Sequence, residues 1–206
     1  MRIRVLAAVL AACATLSACG GGAQPNAVVP QPLPPAPTST AAPPDGSVDL
    51  DGSPTVEKIK QRGKLLVGLR SDAPDMVRRV SAGEYQGFDV EVAGILAAGM
   101  GLDPRTQISY RWLPSDLRAN AMTAGSVDVQ LGGFDRGAPQ FAGAGPYAVV
   151  GGPGAEVEHY VGFNPGDDAM GEELDRILDA AVADGRWQRA YDTALAPSGV
   201  RARPAP

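Results

Sequence analysis

The chain has 206 residues, 44% of them hydrophobic, which is enough for one core or two small lobes. Its formal net charge is −5, and its 18 lysines and arginines form no basic cluster, which argues against nucleic-acid binding. Both cysteines, Cys13 and Cys19, lie near the N-terminus, and His159 is the one histidine. No Ser-His-Asp, Cys-His or metal-ligand set is present, so we predict no catalysis, no metal and no cofactor.

Residues 1–18 have the pattern of a signal peptide. Arg2 and Arg4 form a basic start, and residues 5–14 are apolar. This apolar run is too short to cross about 30 Å of hydrocarbon as a permanent helix. We therefore predict export of the chain.

The signal segment ends in Leu-Ser-Ala-Cys at Cys19, which resembles the lipobox of bacterial lipoproteins. The resemblance implies that Cys19 becomes the first mature residue and carries a diacylglyceryl thioether, usually with an added acyl chain such as palmitate. Two or more acyl chains anchor a protein stably, so we predict attachment to the cell membrane on its extracytoplasmic side. The alternative is an ordinary secreted protein.

The segment 19–54 is predicted to be a disordered linker behind the lipidated cysteine. Residues 20–54 include nine of the nineteen prolines and contain no aromatic or basic residue. Such a sequence cannot bury enough apolar surface to offset the entropy lost on ordering. We expect this linker to act as a spacer that holds the folded part of the chain away from the bilayer.

Residues 55–199 contain every aromatic residue and alternate between helical and strand-like periods, which predicts an α/β domain. The patterns predict helices over 55–61, 88–100 and 170–182 and strands over 64–69, 108–112, 127–131, 147–150 and 158–163. A further helix is expected to begin at Ser115, with Leu117, Ala121 and Ala124 facing inward. Another helical face carries Trp187, and coil is expected beyond Pro197, with 200–206 as a tail.

Five segments in order resemble the family 3 extracellular solute-binding proteins, which serve ABC importers of polar amino acids. They are 59–68, 87–93, 121–129, the Pro146-Tyr147 pair and 174–187. The resemblance implies a periplasmic-binding-protein-like fold of type II, with a mixed sheet flanked by helices. In that family two lobes enclose the ligand, and the chain crosses to the second lobe just after the Pro-Tyr strand.

The second lobe is predicted to be missing from this chain. Only the glycine-rich segment 151–155 separates the Pro-Tyr strand from a segment that resembles the strand returning to the first lobe. Five residues cannot hold a sheet, but they can join two adjacent strands. We therefore expect a single lobe, with any ligand on an open surface.

The resemblance also implies a set of ligand-binding candidates. Arg136 corresponds best to the arginine that binds the ligand's α-carboxylate, although Asp135 beside it could neutralise the same charge. Met76 stands where an aromatic wall is usual, Asp72 lies in the same segment, and Trp112 is expected to line the site. The alternatives are a surface-loop role for Arg136, a core or loop position for Met76 and a structural role for Trp112.

These patterns leave several functions open. The first is weak binding of an amino acid or small polar solute, by one copy or by a homodimer that rebuilds a cleft, for an ABC transporter or a sensing system. The second is a lipoprotein that has lost its ligand and acts through an envelope protein partner. A few relatives of this fold are dehydratases, but this chain lacks a catalytic set.

Overall fold

The structure is a computed structural model, and it describes residues 52–132 and 139–205. The signal peptide, Cys19, most of the linker and Arg136 lie outside the described residues. None of the helices in the described part of the chain combines the length and apolarity needed to cross a membrane.

The described residues form five α-helices and eight strands in alternation. The helices are α1 (Pro54–Arg62), α2 (Phe88–Gly99), α3 (Arg118–Thr123), α4 (Asp168–Ala183) and α5 (Arg186–Ala194). The strands are β1 (Leu65–Arg70), β2 (Arg78–Ser81), β3 (Glu84–Gln86), β4 (Ile108–Leu113), β5 (Val129–Gly132), β6 (Ala142–Val150), β7 (Val157–Phe163) and β8 (Ala202–Arg203).

Six strands form one mixed sheet in the order β4-β1-β5-β7-β6-β8, and β2 and β3 form a separate hairpin. Strand β1 pairs in parallel with β4 on one side and with β5 on the other. The remaining pairs, β5 with β7, β7 with β6 and β6 with β8, are antiparallel. This architecture confirms the predicted α/β fold with a mixed sheet flanked by helices.

One large core lies between the sheet and helices α2, α4 and α5, which also contact one another. The apolar stripe of α4 is buried at Met170, Leu174, Ile177, Leu178 and Ala181, whereas Val182 near the end of the helix is 43% exposed. A second, smaller cluster holds α3 to the sheet through Ala121, Met122 and Val127. The helices therefore cover the sheet as the resemblance implied.

The connection between β6 and β7 is a hairpin, with Val150 paired to Val157. Residues 151–156 form the whole connection, and Gly151 has a φ of 117° that favours glycine. A turn of this length stands where the resemblance places the crossing to a second lobe. The prediction that this chain lacks most of the second lobe is confirmed.

The first helix begins slightly earlier than the predicted boundary of the linker. Ser53 is fully buried, and its hydroxyl accepts a hydrogen bond from the backbone N of Val56 and donates one to Asp167 at 3.0 Å. The backbone N of Thr55 also donates to Asp167. This network fixes the start of α1 against the start of α4, so Ser53 and Pro54 belong to the folded lobe.

The helix expected from Ser115 differs from its prediction. Residues Ser115–Leu117 form a 3₁₀ turn, and the α-helix begins only at Arg118. Leu117 is 48% exposed and Ala124 is exposed, whereas Arg118, Ala121 and Met122 face inward. The predicted inward position of Ala121 is correct, whereas those of Leu117 and Ala124 are wrong because Arg118 and Met122 take the buried places beside Ala121.

Three further details correct the predicted elements. The hairpin of β2 and β3 was not predicted, because its strands are short and mostly exposed. Glu173, a charged residue within the helix predicted over 170–182, is only 4% exposed and accepts a hydrogen bond from Arg176. The coil expected beyond Pro197 instead supplies β8, which pairs with Val149 and Val150 of β6.

Candidate functional site

The candidate site lies where the three parallel strands end. These strands close with Arg70 (β1), Leu113 (β4) and Gly132 (β5), and we call the surface around these three residues the shelf. The chain leaves β1 through α2 to reach β4 on one side, then returns through α3 to β5 on the other. In open α/β sheets, ligands bind outside the carboxyl ends of the strands at such a change of direction.

Arg70 is the last residue of β1 and crosses the end of β5. Its Nε donates to Oδ1 of Asp72 at 2.9 Å, and its side chain is 19% exposed. A Cβ added at Gly132 would lie 2.2 Å from Cδ of Arg70, so only glycine leaves room for the arginine there. The hydrogen bond to Asp72 raises the pKa of Arg70, and the same contact lowers the pKa of Asp72.

Arg118 approaches the same place from the first turn of α3. Its Nε donates to Oε1 of Gln130 at 3.3 Å, and Nε2 of Gln130 donates back to the carbonyl oxygen of Arg118. Gln130 is fully buried and crosses Gly68, where an added Cβ would lie 2.8 Å from Cγ of Gln130. Burial lowers the pKa of Arg118, and the nearby charge of Arg70 adds to this effect.

Asp89 lies beneath these two arginines, at the second position of α2. It is fully buried, and the hydroxyl of Tyr147 donates to its Oδ1 at 2.6 Å. Burial raises the pKa of Asp89 to about 6, although the Tyr147 hydrogen bond and the charges of Arg70 and Arg118 lower it. Among the described residues, Arg70, Arg118, Asp72 and Asp89 therefore form a charged group at one end of the sheet.

His159 completes the buried polar group from β7. Its ring centroid lies 6.0 Å from that of Tyr147, and its Nδ1 has no hydrogen-bond partner among the described residues. Burial lowers its pKa to about 4, with a smaller contribution from Arg70. The imidazole is therefore uncharged at neutral pH.

We expect His159→Phe to reduce the loss of stability in acid. The pKa of His159 is about 4 when folded, below its ordinary value of about 6.5, so the unfolded chain binds its proton first as the pH falls. This histidine therefore costs the folded state about 1 to 3 kcal/mol between pH 6.5 and 4. Urea denaturation of both proteins should show their stability difference shifting in favour of the variant over this range and staying constant between pH 7 and 8. A difference independent of pH would contradict the assignment.

The predicted site residues do not all lie at the shelf. Asp72 lies beside Arg70 at the shelf. Trp112 is half-buried in β4 next to Leu69 in register, and it stacks on Tyr85 of the hairpin with centroids 5.5 Å apart. Met76 is 3% exposed and lies in the core rather than on the shelf. Arg136 lies outside the described residues.

Arg70, Arg118 and Gln130 were not singled out from the sequence. Arg70 carried a usable signal, because a charged residue directly follows the buried run of β1 and so must lie at the carboxyl end of that strand. Arg118 carried none, because an arginine in a helix is ordinarily expected on the exposed face. An acidic residue in the first turn of a helix is explained by the helix dipole, so Asp89 carried no distinct signal of a site.

Comparison with known proteins agrees with this architecture. Residues 65–196 match the family of bacterial extracellular solute-binding proteins, family 3. A glutamine-binding protein of Geobacillus stearothermophilus is 31% identical over 99 residues, which are 46% of this chain and 37% of that protein. The chain therefore aligns with little more than a third of the length of this relative.

Two solved structures are similar in fold. The solute receptor for L-cysteine of Neisseria gonorrhoeae has a TM-score of 0.61 and 17% identity, with 69% of this chain and 94% of that chain covered. The arginine-bound form of domain 1 from TmArgBP has a TM-score of 0.51 and 25% identity, with 60% and 97% covered. The second of these is itself a single domain.

Proposed function

Because the chain belongs to the bacterial extracellular solute-binding proteins, family 3, we propose that it binds a polar amino acid on the shelf, with the ligand's α-carboxylate held by Arg70 and Arg118. The family is one of binding proteins, and we assign the chain no catalytic step. The proposal places the protein outside the cytoplasm, held on the membrane by lipid.

The observation that carries this proposal is the convergence of Arg70 and Arg118 at the carboxyl ends of β1 and β5. The charge of Arg70 contributes to lowering the pKa of Arg118, and a carboxylate bound at both guanidinium groups would favour their charged forms. A guanidinium also suits a carboxylate because it offers two parallel charge-assisted hydrogen bonds. Glycines at positions 68 and 132 leave the space that this arrangement requires.

A single lobe can hold an amino acid, since domain 1 of TmArgBP carries arginine in its solved structure. An open surface excludes less water than a closed cleft, however, and exposed ion pairs contribute only about 0 to 1 kcal/mol. We therefore expect a dissociation constant near the millimolar range, which corresponds to about −4 kcal/mol. An ABC permease or a second copy of the chain is the proposed partner that would cover the ligand.

Calorimetric titration with L-arginine, L-glutamine, L-glutamate and L-cysteine tests the proposal. We expect heat from at least one of them, and Arg70→Met should weaken that binding tenfold or more, because a hydrogen bond to a charged group contributes about 1.5 to 3 kcal/mol. Arg136→Ala tests the arginine predicted from the sequence in the same assay.

Arg111→Met is the matched control, since Arg111 is an exposed arginine of β4 and should leave binding unchanged. Equal binding by Arg70→Met and Arg111→Met would refute the role of the shelf. Silence across the panel with a folded protein, tested in any oligomeric form it adopts, would instead favour an envelope lipoprotein that acts through a protein partner.

The lipid anchor is a separate part of the proposal and rests on the motif that ends at Cys19. Cys19→Ala should release the protein from the membrane fraction, because the acyl chains have no other attachment point. Cys13→Ala is the control, since Cys13 would be removed with the signal peptide. Fractionation of cells followed by immunoblotting measures both, and membrane retention of Cys19→Ala would contradict lipidation as the anchor.

A further inference from the structure

Only one of the two carboxyl oxygens of Asp89 has a hydrogen-bond partner among the described residues. Oδ1 accepts the hydrogen bond from Tyr147, and Oδ2 is buried without a hydrogen bond from any residue that the structure describes. The backbone N of Asp89 donates to the carbonyl oxygen of Met76 at 3.2 Å, which fixes the residue in place. A buried carboxyl group with an unused oxygen is uncommon and calls for an explanation.

The groups that face Asp89 come from several elements and differ in charge. Arg70 from β1 and Arg118 from α3 favour the carboxylate. Tyr147 from β6 donates its hydroxyl, and its own pKa is raised by burial, so it stays neutral. His159 from β7, beside Tyr147, is also neutral at pH 7.

Asp72 is the second carboxylate of this group, but it lies on the solvent side of Arg70 with 46% of its side chain exposed. A ligand carboxylate on the shelf would bring a further negative charge close to Asp89.

We infer that Asp89 takes up a proton on Oδ2 when a carboxylate binds at Arg70 and Arg118. The proton comes from solvent, the ligand stays ionised, and the ligand replaces Asp89 as the anionic partner of the arginines. This inference rests on the proposed function and deepens it, because it makes Asp89 a positioning residue that links ligand binding to proton uptake.

Burial already holds the pKa of Asp89 at about 6 in the free protein, so a nearby ligand anion needs only a modest further rise to protonate it near neutral pH. The affinity for the ligand is then highest below the pKa that Asp89 has in the free protein. The affinity falls as the pH rises from that value to the pKa that Asp89 has in the complex, by at most tenfold per pH unit. The expected direction is tighter binding in acid.

Titration of the wild-type protein with L-glutamine at pH 7, in phosphate and in imidazole buffer, tests the inference. The two buffers have different heats of ionisation, so the difference in observed heat gives the number of protons taken up. We expect an uptake between zero and one per ligand and an affinity three- to tenfold higher at pH 6 than at pH 7.5.

Asp89→Asn should bind with an affinity independent of pH and without proton uptake, because the amide resembles the protonated acid. Asp103→Asn is the matched control, since Asp103 is an exposed carboxylate outside the shelf whose pKa is lowered by hydrogen bonds from the backbone N of Arg105 and the hydroxyl of Thr106, so it should not titrate above pH 6. Its proton uptake should therefore persist. If Asp89→Asn fails to fold, the carboxyl ¹³C signal of Asp89 in the wild-type protein should titrate near pH 6 and move to higher pH with L-glutamine.

The possible outcomes separate the two proposals. Binding of L-glutamine with equal affinity from pH 6 to 8 and no dependence on buffer overturns the inference and leaves the proposed function intact. Uptake that persists in Asp89→Asn also overturns it. Failure of every amino acid of the panel to bind at any pH overturns the proposed function, and the inference with it.

Discussion

Trp187→Ala is expected to lower the free energy of unfolding by about 3 to 5 kcal/mol, the range for a large buried aromatic residue. The indole is 3% exposed and packs between Phe88 of α2, at 5.6 Å, and Tyr191 of α5, at 5.7 Å. Its Nε1 also donates to the carbonyl oxygen of Tyr147 at 2.6 Å, and that acceptor would lose its partner. Urea denaturation followed by circular dichroism measures the loss.

Trp187→Phe separates packing from hydrogen bonding, because phenylalanine retains most of the volume and should cost only about 1 to 3 kcal/mol. Trp112→Ala offers a second comparison at a half-buried tryptophan and should cost less than Trp187→Ala. A loss below 1 kcal/mol for Trp187→Ala would show that α5 does not hold α2 and β6 together as described.

Gly87→Ala is expected to destabilise the lobe by about 3 kcal/mol, through a strained backbone and a steric clash. Gly87 precedes α2 with a φ of 133°, and an added Cβ would lie 2.3 Å from the carbonyl oxygen of Met76. That oxygen is already fixed by the backbone N of Asp89, so the two segments cannot simply separate. The change would therefore also displace Asp89 beneath the shelf.

Gly83→Ala is the matched control, since Gly83 has a φ of 85° but nothing within 4 Å of an added Cβ. It should cost only the backbone penalty of about 1 to 2 kcal/mol. Thermal and urea denaturation of both variants give the comparison. Equal losses of unfolding free energy at the two positions would show that the clash between the added Cβ and the carbonyl oxygen of Met76 does not destabilise the protein.

The sequence predicted most of the architecture because its elements have local end signals. Gly63, with a φ of 67°, follows the last residue of α1, and Gly185, with a φ of 79°, separates α4 from α5. The stripe of α4 repeats at helical spacing, and the glycine-rich segment 151–155 had too few residues for another domain. Such features depend on neighbouring residues alone, so they can be recognised without knowing the fold.

The candidate site was harder to predict because its residues meet only through the topology. Arg70 and Gly132 are distant in sequence and become neighbours because β1 and β5 pair in parallel. Arg118 faces inward, where Gln130 binds both its side chain and its carbonyl oxygen. Hydrophobic periodicity counts an arginine as an outward residue, so it could not indicate this placement.

The burial of Asp89 was also difficult to predict from the sequence. Its position at the start of α2 accounts for an acidic residue through the helix dipole, and nothing in its neighbours indicates complete burial. The hydrogen bond from Tyr147 joins residues 58 positions apart. The unusual chemistry of this carboxyl group arises from that long-range contact.

The short connection between β6 and β7 has a consequence for how the chain folds. Because Val150 pairs with Val157, the central antiparallel pair forms by closing a small loop, and contacts of low sequence separation favour rapid folding. The pairing of β6 with β7 does not depend on the folding of a second globular unit between these two strands. We therefore expect it to refold in one cooperative transition, with both β6 and β7 ordered at an early stage.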